Sequence, residues 1–168
     1  MKVPMMLSAM AMAVLLFAQP ARAGQDVSCK RVNGQATWTL IPAPNDPYGR
    51  IVGPSTGNLK ASISAYLTSL TPLPDGSLSA TSVEVWVLGA QDILVADGQA
   101  TFTPIPGQPI GTVFDALTLT ITGGTGDYAN ATGTINVTGV GHNLFGPNAG
   151  PGSSYFDVTY KGSVCRPN

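Results

Sequence analysis

Apolar residues in this chain recur at every second position, and this spacing constrains the fold more than any other feature of the sequence. In residues 112–122, Val113, Leu117 and Ile121 fall on one face, and most of the threonines fall on the other. A period of two is typical of half-buried β-strands, and no segment has the 3.6-residue period of a convincing amphipathic helix. The sequence therefore predicts an all-β protein.

Eight segments carry this alternation or are rich in β-branched residues. They are 35–41, a short segment around 48–52, 59–70, 78–89, 92–103, 112–122, 132–140 and 154–165. Breaks such as TPLPDG and PIPGQP separate them, and these are residues that favour turns. Short strands with such breaks indicate a β-sandwich or a β-barrel, and one apolar face per strand favours antiparallel pairing.

The first residues are typical of an export signal. A basic start and an apolar run up to about Ala18 precede Ala21-Arg22-Ala23, a pattern that signal peptidases cleave. The apolar run is shorter than the roughly 20 residues that span a bilayer. We expect residues 1–23 to be removed and residues 24–168 to be exported as one domain, to the periplasm or the cell exterior, without a membrane span.

Charge and cysteine content narrow the functional classes. Eight basic residues stand against nine acidic ones, for a formal net charge of −1, which offers no basic surface for nucleic acid. Cys29 and Cys165 lie near opposite ends of the exported part, and in an oxidising compartment they predict a disulfide. The alternative is a free catalytic thiol. Two isolated cysteines and a single histidine, His142, do not predict a metal site.

The segment ITGGTGDYANATGTINVTG, residues 121–139, is rich in glycine and threonine and raises the question of phosphate binding. No lysine follows its glycines, as a P-loop requires, and a strand pattern follows where a dinucleotide-binding turn would open a helix. Glycine tolerates the positive φ of tight turns. These residues therefore predict a hairpin between two strands.

Within this segment, the pattern Gly-Gly-Thr-Gly-x-Tyr-x-x-Ala-x-Gly resembles the signature of the dirigent and allene oxide cyclase-like family. The matching residues are Gly123, Gly124, Thr125, Gly126, Tyr128, Ala131 and Gly133, and the resemblance covers roughly residues 92–165. It implies an eight-stranded antiparallel barrel of the calycin-like, allene oxide cyclase type with a central cavity, often assembled as a homotrimer. The cysteine pair and the leader suggest a bacterial exported branch. The polar cavity residues that plant members use on their substrates have no match here.

Two acidic residues are candidates for chemistry inside such a barrel. Glu84, the only glutamate, shares a strand face with Trp86, and Asp115 lies between Val113 and Leu117 on an apolar face. In a cavity, desolvation would raise the pKa of either carboxyl group and suit it to acid or base catalysis. The alternatives are a solvent-facing Glu84 on the barrel exterior and a hydrated Asp115 near a strand end.

Four aromatic residues are candidates for binding a ligand through apolar rings with polar tips. They are Trp38, Tyr66, Trp86 and Tyr160. The alternative for all four is packing in the core or at a subunit interface. His142, beside a glycine-rich loop, is expected at the surface, and no Gly-x-Ser-x-Gly nucleophile elbow is present.

Three functions stay open. The first, which we favour because no catalytic constellation is evident, is an exported barrel that binds a small hydrophobic molecule. The second is a cofactor-free isomerase, cyclase or dirigent-type protein that steers a reactive intermediate by confinement and orientation, with help from Glu84 or Asp115. The third is a structural or surface-interaction module with a filled barrel. None of the three calls for a cofactor.

Overall fold

A closed barrel of eight antiparallel strands makes up this protein, in a computed structural model that describes residues 26–43, 46–144, 149 and 153–168. The strands pair in chain order. They are β1 (Val27–Ala43), β2 (Asp46–Ser55), β3 (Ala61–Pro72), β4 (Leu78–Val87), β5 (Ile93–Pro104), β6 (Val113–Thr125), β7 (Thr132–His142) and β8 (Tyr155–Pro167). The predicted all-β class and eight-stranded antiparallel barrel are confirmed.

Some sequence predictions fall outside the described residues. The expected signal peptide, residues 1–23, is one of them, and so are parts of the predicted breaks at 42–47 and 145–152. In the described part of the chain, no helix has the length and apolar character needed to cross a membrane.

The barrel is closed by the pairing of its first and last strands. The β1–β8 register runs from Val27 opposite Pro167 to Thr39 opposite Tyr155. Cys29 and Cys165 are directly opposed in this register and form the predicted disulfide. The bond therefore lies across the seam that converts an open sheet into a barrel.

One end of the barrel is filled by large side chains. The hydroxyl of Tyr160 donates a hydrogen bond to the backbone carbonyl of Thr56 at 2.6 Å and accepts one from the backbone N–H of Leu59 at 3.3 Å. Trp86, which is fully buried, packs against Tyr160 edge-to-face with ring centroids 5.4 Å apart. We call this the closed end, and the end with the β1–β2, β3–β4, β5–β6 and β7–β8 connections the open end.

The glycine-rich segment joins β6 to β7, as its residues predict. A short 3-10 helix, Gly126–Tyr128, makes the turn. The hydroxyl of Thr125 donates to the carbonyl of Gln91 at 2.6 Å, and the N–H of Asp127 donates to the carboxylate of Asp92 at 3.0 Å. The turn is thus fastened to the neighbouring β4–β5 connection, which is a structural role.

Candidate functional site

A small chamber inside the barrel contains the two candidate acids. Glu84 reaches it from β4 and Asp115 from β6, and its volume, measured as the space open to the centre of a water molecule, is about 20 Å³. Its other lining residues are Trp38, Ile51, Ala65, Leu67, Ser82, Ala100, Phe102, Leu117 and Phe156. A space of this size holds about one water molecule. We refer to it as the inner chamber.

Glu84 is almost completely buried, with 2% of its surface exposed. One carboxyl oxygen, Oε2, accepts a hydrogen bond from the indole N–H of Trp86 at 3.0 Å. Burial raises the pKa of Glu84 from 4.5 to about 7, because a carboxylate loses its hydration there; the Trp86 hydrogen bond lowers this pKa and the charge of Asp115 raises it. The carboxyl group is therefore poised to gain or lose a proton near neutral pH.

Asp115 is equally buried, with 2% of its surface exposed, and burial raises its pKa from 3.8 to about 7. Its Oδ1 atom has no hydrogen-bond partner among the described residues. The indole N–H of Trp38, which also lines the inner chamber, has none either. Buried polar groups in native proteins nearly always have a partner. A donor and a carboxyl oxygen thus stand unpaired in one chamber.

Both candidate acids are buried, in contrast to the solvent-exposed alternatives that the sequence left open. Glu84 is not on the exterior, and Asp115 is buried although it is the third residue of β6. Strand pairing explains why there is space for them. Glu84 has Ala65 and Ala96 as its register neighbours, and Asp115 has Gly139 on one side. Small neighbours leave room for Glu84 on both sides and for Asp115 on one side, since the other register neighbour of Asp115 is Phe102.

A second, larger cavity lies toward the open end. Its volume, measured in the same way, is about 260 Å³, and it is lined by Leu40, Tyr48, Ile51, Leu67, Leu70, Phe102, Leu144 and Phe156. All of these side chains are apolar except for the hydroxyl of Tyr48. Ile51, Leu67, Phe102 and Phe156 line both this cavity, which we call the mouth, and the inner chamber. The two spaces are therefore adjacent, with apolar side chains between them.

The four aromatic candidates occupy different places. Trp38 lines the inner chamber, whereas Trp86 and Tyr160 lie at the closed end, where Trp86 reaches the site through Glu84. Tyr66 lies outside the barrel, 37% exposed, with the Arg50 guanidinium 5.9 Å from its ring centre. Because Tyr66 alternates with the buried Ala65 on β3, its side chain is on the opposite face from the chamber.

His142 lies on the outer surface, apart from the chamber. Its ring stacks on Tyr155 with centroids 4.5 Å apart, and its Nε2 is 4.0 Å from a carboxylate oxygen of Asp157. Within the described ranges, no cluster of three or more His, Cys, Asp or Glu side chains is placed to hold a metal ion. The chemistry available in the site is that of two carboxyl groups, the hydroxyl of Ser82 and the indole N–H groups of Trp38 and Trp86.

Phe102 and Phe156 were not among the candidate residues, although they line both cavities. Their ring centroids are 6.1 Å apart with the planes tilted by 41°. The alternation on β5 and β8 predicts the strand face on which each phenylalanine lies, and this was the only information on them in the sequence. It did not identify them as site residues, because the residues of one face contact each other only after the barrel closes.

Neither a family model nor a curated protein nor a solved structure matches this chain. The resemblance to the dirigent and allene oxide cyclase-like family consequently stays a prediction from the sequence. The chemistry of the site is inferred from the geometry of the barrel itself.

Proposed function

We propose that this barrel binds a small, mainly apolar molecule in its mouth, with the polar group of that molecule directed toward Glu84 and Asp115. The observation that carries the proposal is the pair of unpartnered buried atoms, Trp38 Nε1 and Asp115 Oδ1, in a chamber adjacent to an apolar cavity. Ligand sites are typically apolar concavities with a few polar groups that fix orientation. The mouth and the inner chamber together fit this description.

The buried acids favour a ligand site over a barrel that is merely filled. Burying a carboxyl group without a hydrogen-bond partner costs about 1–3 kcal/mol. A core selected only for packing would carry apolar side chains at positions 84 and 115, as it does at Leu94, Leu119 and Ile135, which are all fully buried. Retention of two buried carboxyl groups, of which Asp115 has an oxygen without a partner among the described residues, is typical of functional sites.

A cofactor-free isomerase or cyclase is the second candidate. The observation that favours it is the presence of two buried carboxyl groups in one chamber. Burial raises the pKa of each to about 7, and an acid or base works best when its pKa is near the working pH. Binding in the mouth is required for this function as well. The two candidates separate in Glu84→Gln, which keeps the shape of the side chain but cannot transfer a proton: unchanged binding with lost turnover identifies an enzyme.

The proposal includes export to the periplasm or the cell exterior. The Cys29–Cys165 disulfide supports it, because disulfides persist in oxidising compartments. Intact mass of the protein purified from its host tests cleavage after Ala23. Assembly as a homotrimer is proposed on the family resemblance alone, and light scattering of the purified protein tests it.

Native mass spectrometry of the non-reduced protein, followed by titration with cyclooctane, tests the binding proposal. The chain has only two tryptophans, and both belong to the site, so their fluorescence reports on it. We expect Leu70→Phe, which fills part of the mouth, to weaken cyclooctane binding. Leu73→Phe is the matched control, because Leu73 is exposed on the β3–β4 turn and does not line the mouth. Equal effects of the two substitutions, or no binding at all, would overturn the proposal and favour a filled structural barrel.

A further inference from the structure

We infer that the inner chamber recognises a hydrogen-bond-accepting oxygen on an otherwise apolar molecule, a ketone carbonyl being the simplest example, through donors supplied by Trp38, Glu84 and Asp115. This inference deepens the binding function proposed above and rests on it. It follows from the number of donors and acceptors that the chamber presents.

The inner chamber receives hydrogen-bond donors from Trp38, Glu84 and Asp115. The indole N–H of Trp38 is a donor only and has no partner. Glu84 already accepts the Trp86 N–H at Oε2, so in the neutral acid the proton is placed on Oε1, where it is a donor. Neutral Asp115 supplies a third donor through its own O–H group. Ser82 also lines the chamber, and its hydroxyl both donates and accepts. When both acids are protonated, the donors therefore outnumber the acceptors, which are the carbonyl oxygen of Asp115 and the hydroxyl oxygen of Ser82, and an acceptor on a ligand can pair with the excess.

The protonation state agrees with this assignment. Desolvation gives both carboxyl groups a pKa of about 7, so both are largely neutral in mildly acidic solution. Among the lining residues of the inner chamber, β1, β2, β3, β5 and β8 contribute Trp38, Ile51, Ala65, Leu67, Ala100, Phe102 and Phe156, none of which is charged. From β4 and β6 the only ionisable groups are Glu84 and Asp115 themselves. Tyr160 is the next titratable group, and it packs against Trp86 rather than against the chamber.

A protonated amine is the competing ligand class, since two carboxylates attract a cation. It satisfies the acceptors but leaves the Trp38 N–H without a partner, because an ammonium group has no lone pair. It also requires at least one of the two acids to ionise as its counter-ion, in a chamber without a basic side chain. An oxygen acceptor satisfies the Trp38 N–H and needs neither ionisation. The donor count therefore favours the oxygen.

Three probes share the same eight-membered carbon ring and differ only in its polar group: cyclooctanone, cyclooctylamine and cyclooctane. They separate ligands with an acceptor oxygen from cationic and purely apolar ligands. Each is titrated into the non-reduced protein at about pH 5.5 and at about pH 8.5, on either side of the pKa of about 7, while the amine stays protonated throughout. We expect the ketone to bind up to about tenfold more tightly than cyclooctane at the lower pH, the value of one hydrogen bond. That advantage is expected to shrink at the higher pH, where the Trp38 N–H remains a donor but the two acids have lost their donor protons.

The isosteric amides provide the matched variants. The double variant Glu84→Gln/Asp115→Asn keeps neutral donors at every pH, so we expect it to bind cyclooctanone equally well at both pH values. Trp38→Phe removes one donor, and we expect it to reduce the ketone's advantage without weakening cyclooctane, with Trp86 remaining as the fluorescent reporter. Circular dichroism of each variant verifies that the barrel is folded.

The outcomes distinguish failure of this inference from failure of the proposed binding function. If cyclooctane binds but the amine binds best and tightens as the pH rises, the recognised group is a cation and the inference is overturned. The same conclusion follows if the ketone and cyclooctane bind equally well at both pH values. If none of the three rings binds to the folded protein, the binding function itself fails, and the inference fails with it.

Discussion

The indole N–H of Trp86 donates to Oε2 of Glu84 at 3.0 Å, although the two residues are only two positions apart on one strand. Both side chains point into the barrel because residues i and i+2 of a strand share a face. The hydrogen bond links the closed end, where Trp86 packs on Tyr160, to the acid in the inner chamber. Trp86, which does not line the inner chamber, thereby lowers the pKa of Glu84, which does.

Substituting Trp86→Phe tests this effect. The hydrogen bond stabilises the ionised form of Glu84 and lowers its pKa, so we expect the pKa of Glu84 to rise above its value of about 7 in the variant. Glu84 is the only glutamate of the chain, so carbon-13 labelling of glutamate gives a single carboxyl signal to titrate by NMR. Tyr160→Phe is the control, because it alters the other side of Trp86 and leaves the Glu84 hydrogen bond intact. An unchanged pKa in Trp86→Phe would contradict the prediction.

The two buried acids predict a decline in stability as the pH rises. Each has a folded-state pKa near 7, above its ordinary value of 4.5 for Glu84 and 3.8 for Asp115. The folded state therefore binds these protons more tightly than the unfolded state does. With respect to these groups, stability is greatest below about pH 4, falls between about pH 4 and about pH 7, and is level above that. Each group contributes a few kcal/mol to this decline.

Urea unfolding between pH 4 and pH 8 measures the effect. We expect Glu84→Gln/Asp115→Asn to flatten the pH dependence and to be more stable than the wild type at about pH 8, since neutral amides replace groups that must ionise there. His142→Gln is the control, because it removes the 4.0 Å contact between His142 and Asp157 on the outer surface and leaves the buried pair intact. If His142→Gln flattens the profile and the double amide does not, the assignment to the buried pair is wrong.

The disulfide at the barrel seam is expected to make a large contribution to stability. Cys29 and Cys165 are 136 residues apart in sequence, and closing so long a loop in the unfolded chain is worth about 4–5 kcal/mol in the chain-entropy model. We expect the double variant Cys29→Ser/Cys165→Ser to lose stability of that order in urea unfolding. A reducing agent should lower the stability of the wild type similarly and leave the variant unaffected. Equal stability of the oxidised and reduced wild type would contradict this.

Much of the barrel was predictable because strand alternation is a local property. Seven strands begin and end within a few residues of their predicted positions. The exception is β1, which extends back to Val27 although only 35–41 was predicted. Residues 27–31 are all exposed, so this half of β1 has no buried face and shows no alternation. It forms a strand because its backbone pairs with β8, which is a long-range effect.

Only part of the site could be predicted from the sequence, because strand alternation is a local property and the site depends on how the strands pair. Alternation shows which residues share a face but not which face is inside. On β4 the outward residues include Val83, Val85 and Val87, while the inward ones include Glu84 and Trp86, so apolar character alone favours the wrong face. The small residues Ala65 and Ala96 on the neighbouring strands accommodate Glu84 inside. That information appears only once the strands are paired.

The turn between β6 and β7 gives a last prediction, on the glycine-rich motif. Gly126 has a φ of +58°, and a Cβ atom there would collide with the Asp92 carboxylate and lie 2.7 Å from the backbone oxygen of Gln91. Gly107, in the β5–β6 connection, also has a positive φ, of +77°, but has no atom within 4 Å of the same position. Gly107→Ala should therefore show only the cost of the left-handed conformation, about 1–2 kcal/mol.

Gly126→Ala should cost clearly more than Gly107→Ala, because it also separates the turn from the β4–β5 connection and weakens the hydrogen bond from Asp127 N–H to Asp92. Urea unfolding of the two variants gives the comparison, and the difference between them isolates the contact from the backbone term. Hydrogen exchange at the Asp127 amide provides an independent readout, with faster exchange expected only in Gly126→Ala. If both variants lose the same stability and the Asp127 amide stays protected, the motif serves turn geometry alone and does not fasten one hairpin to the next.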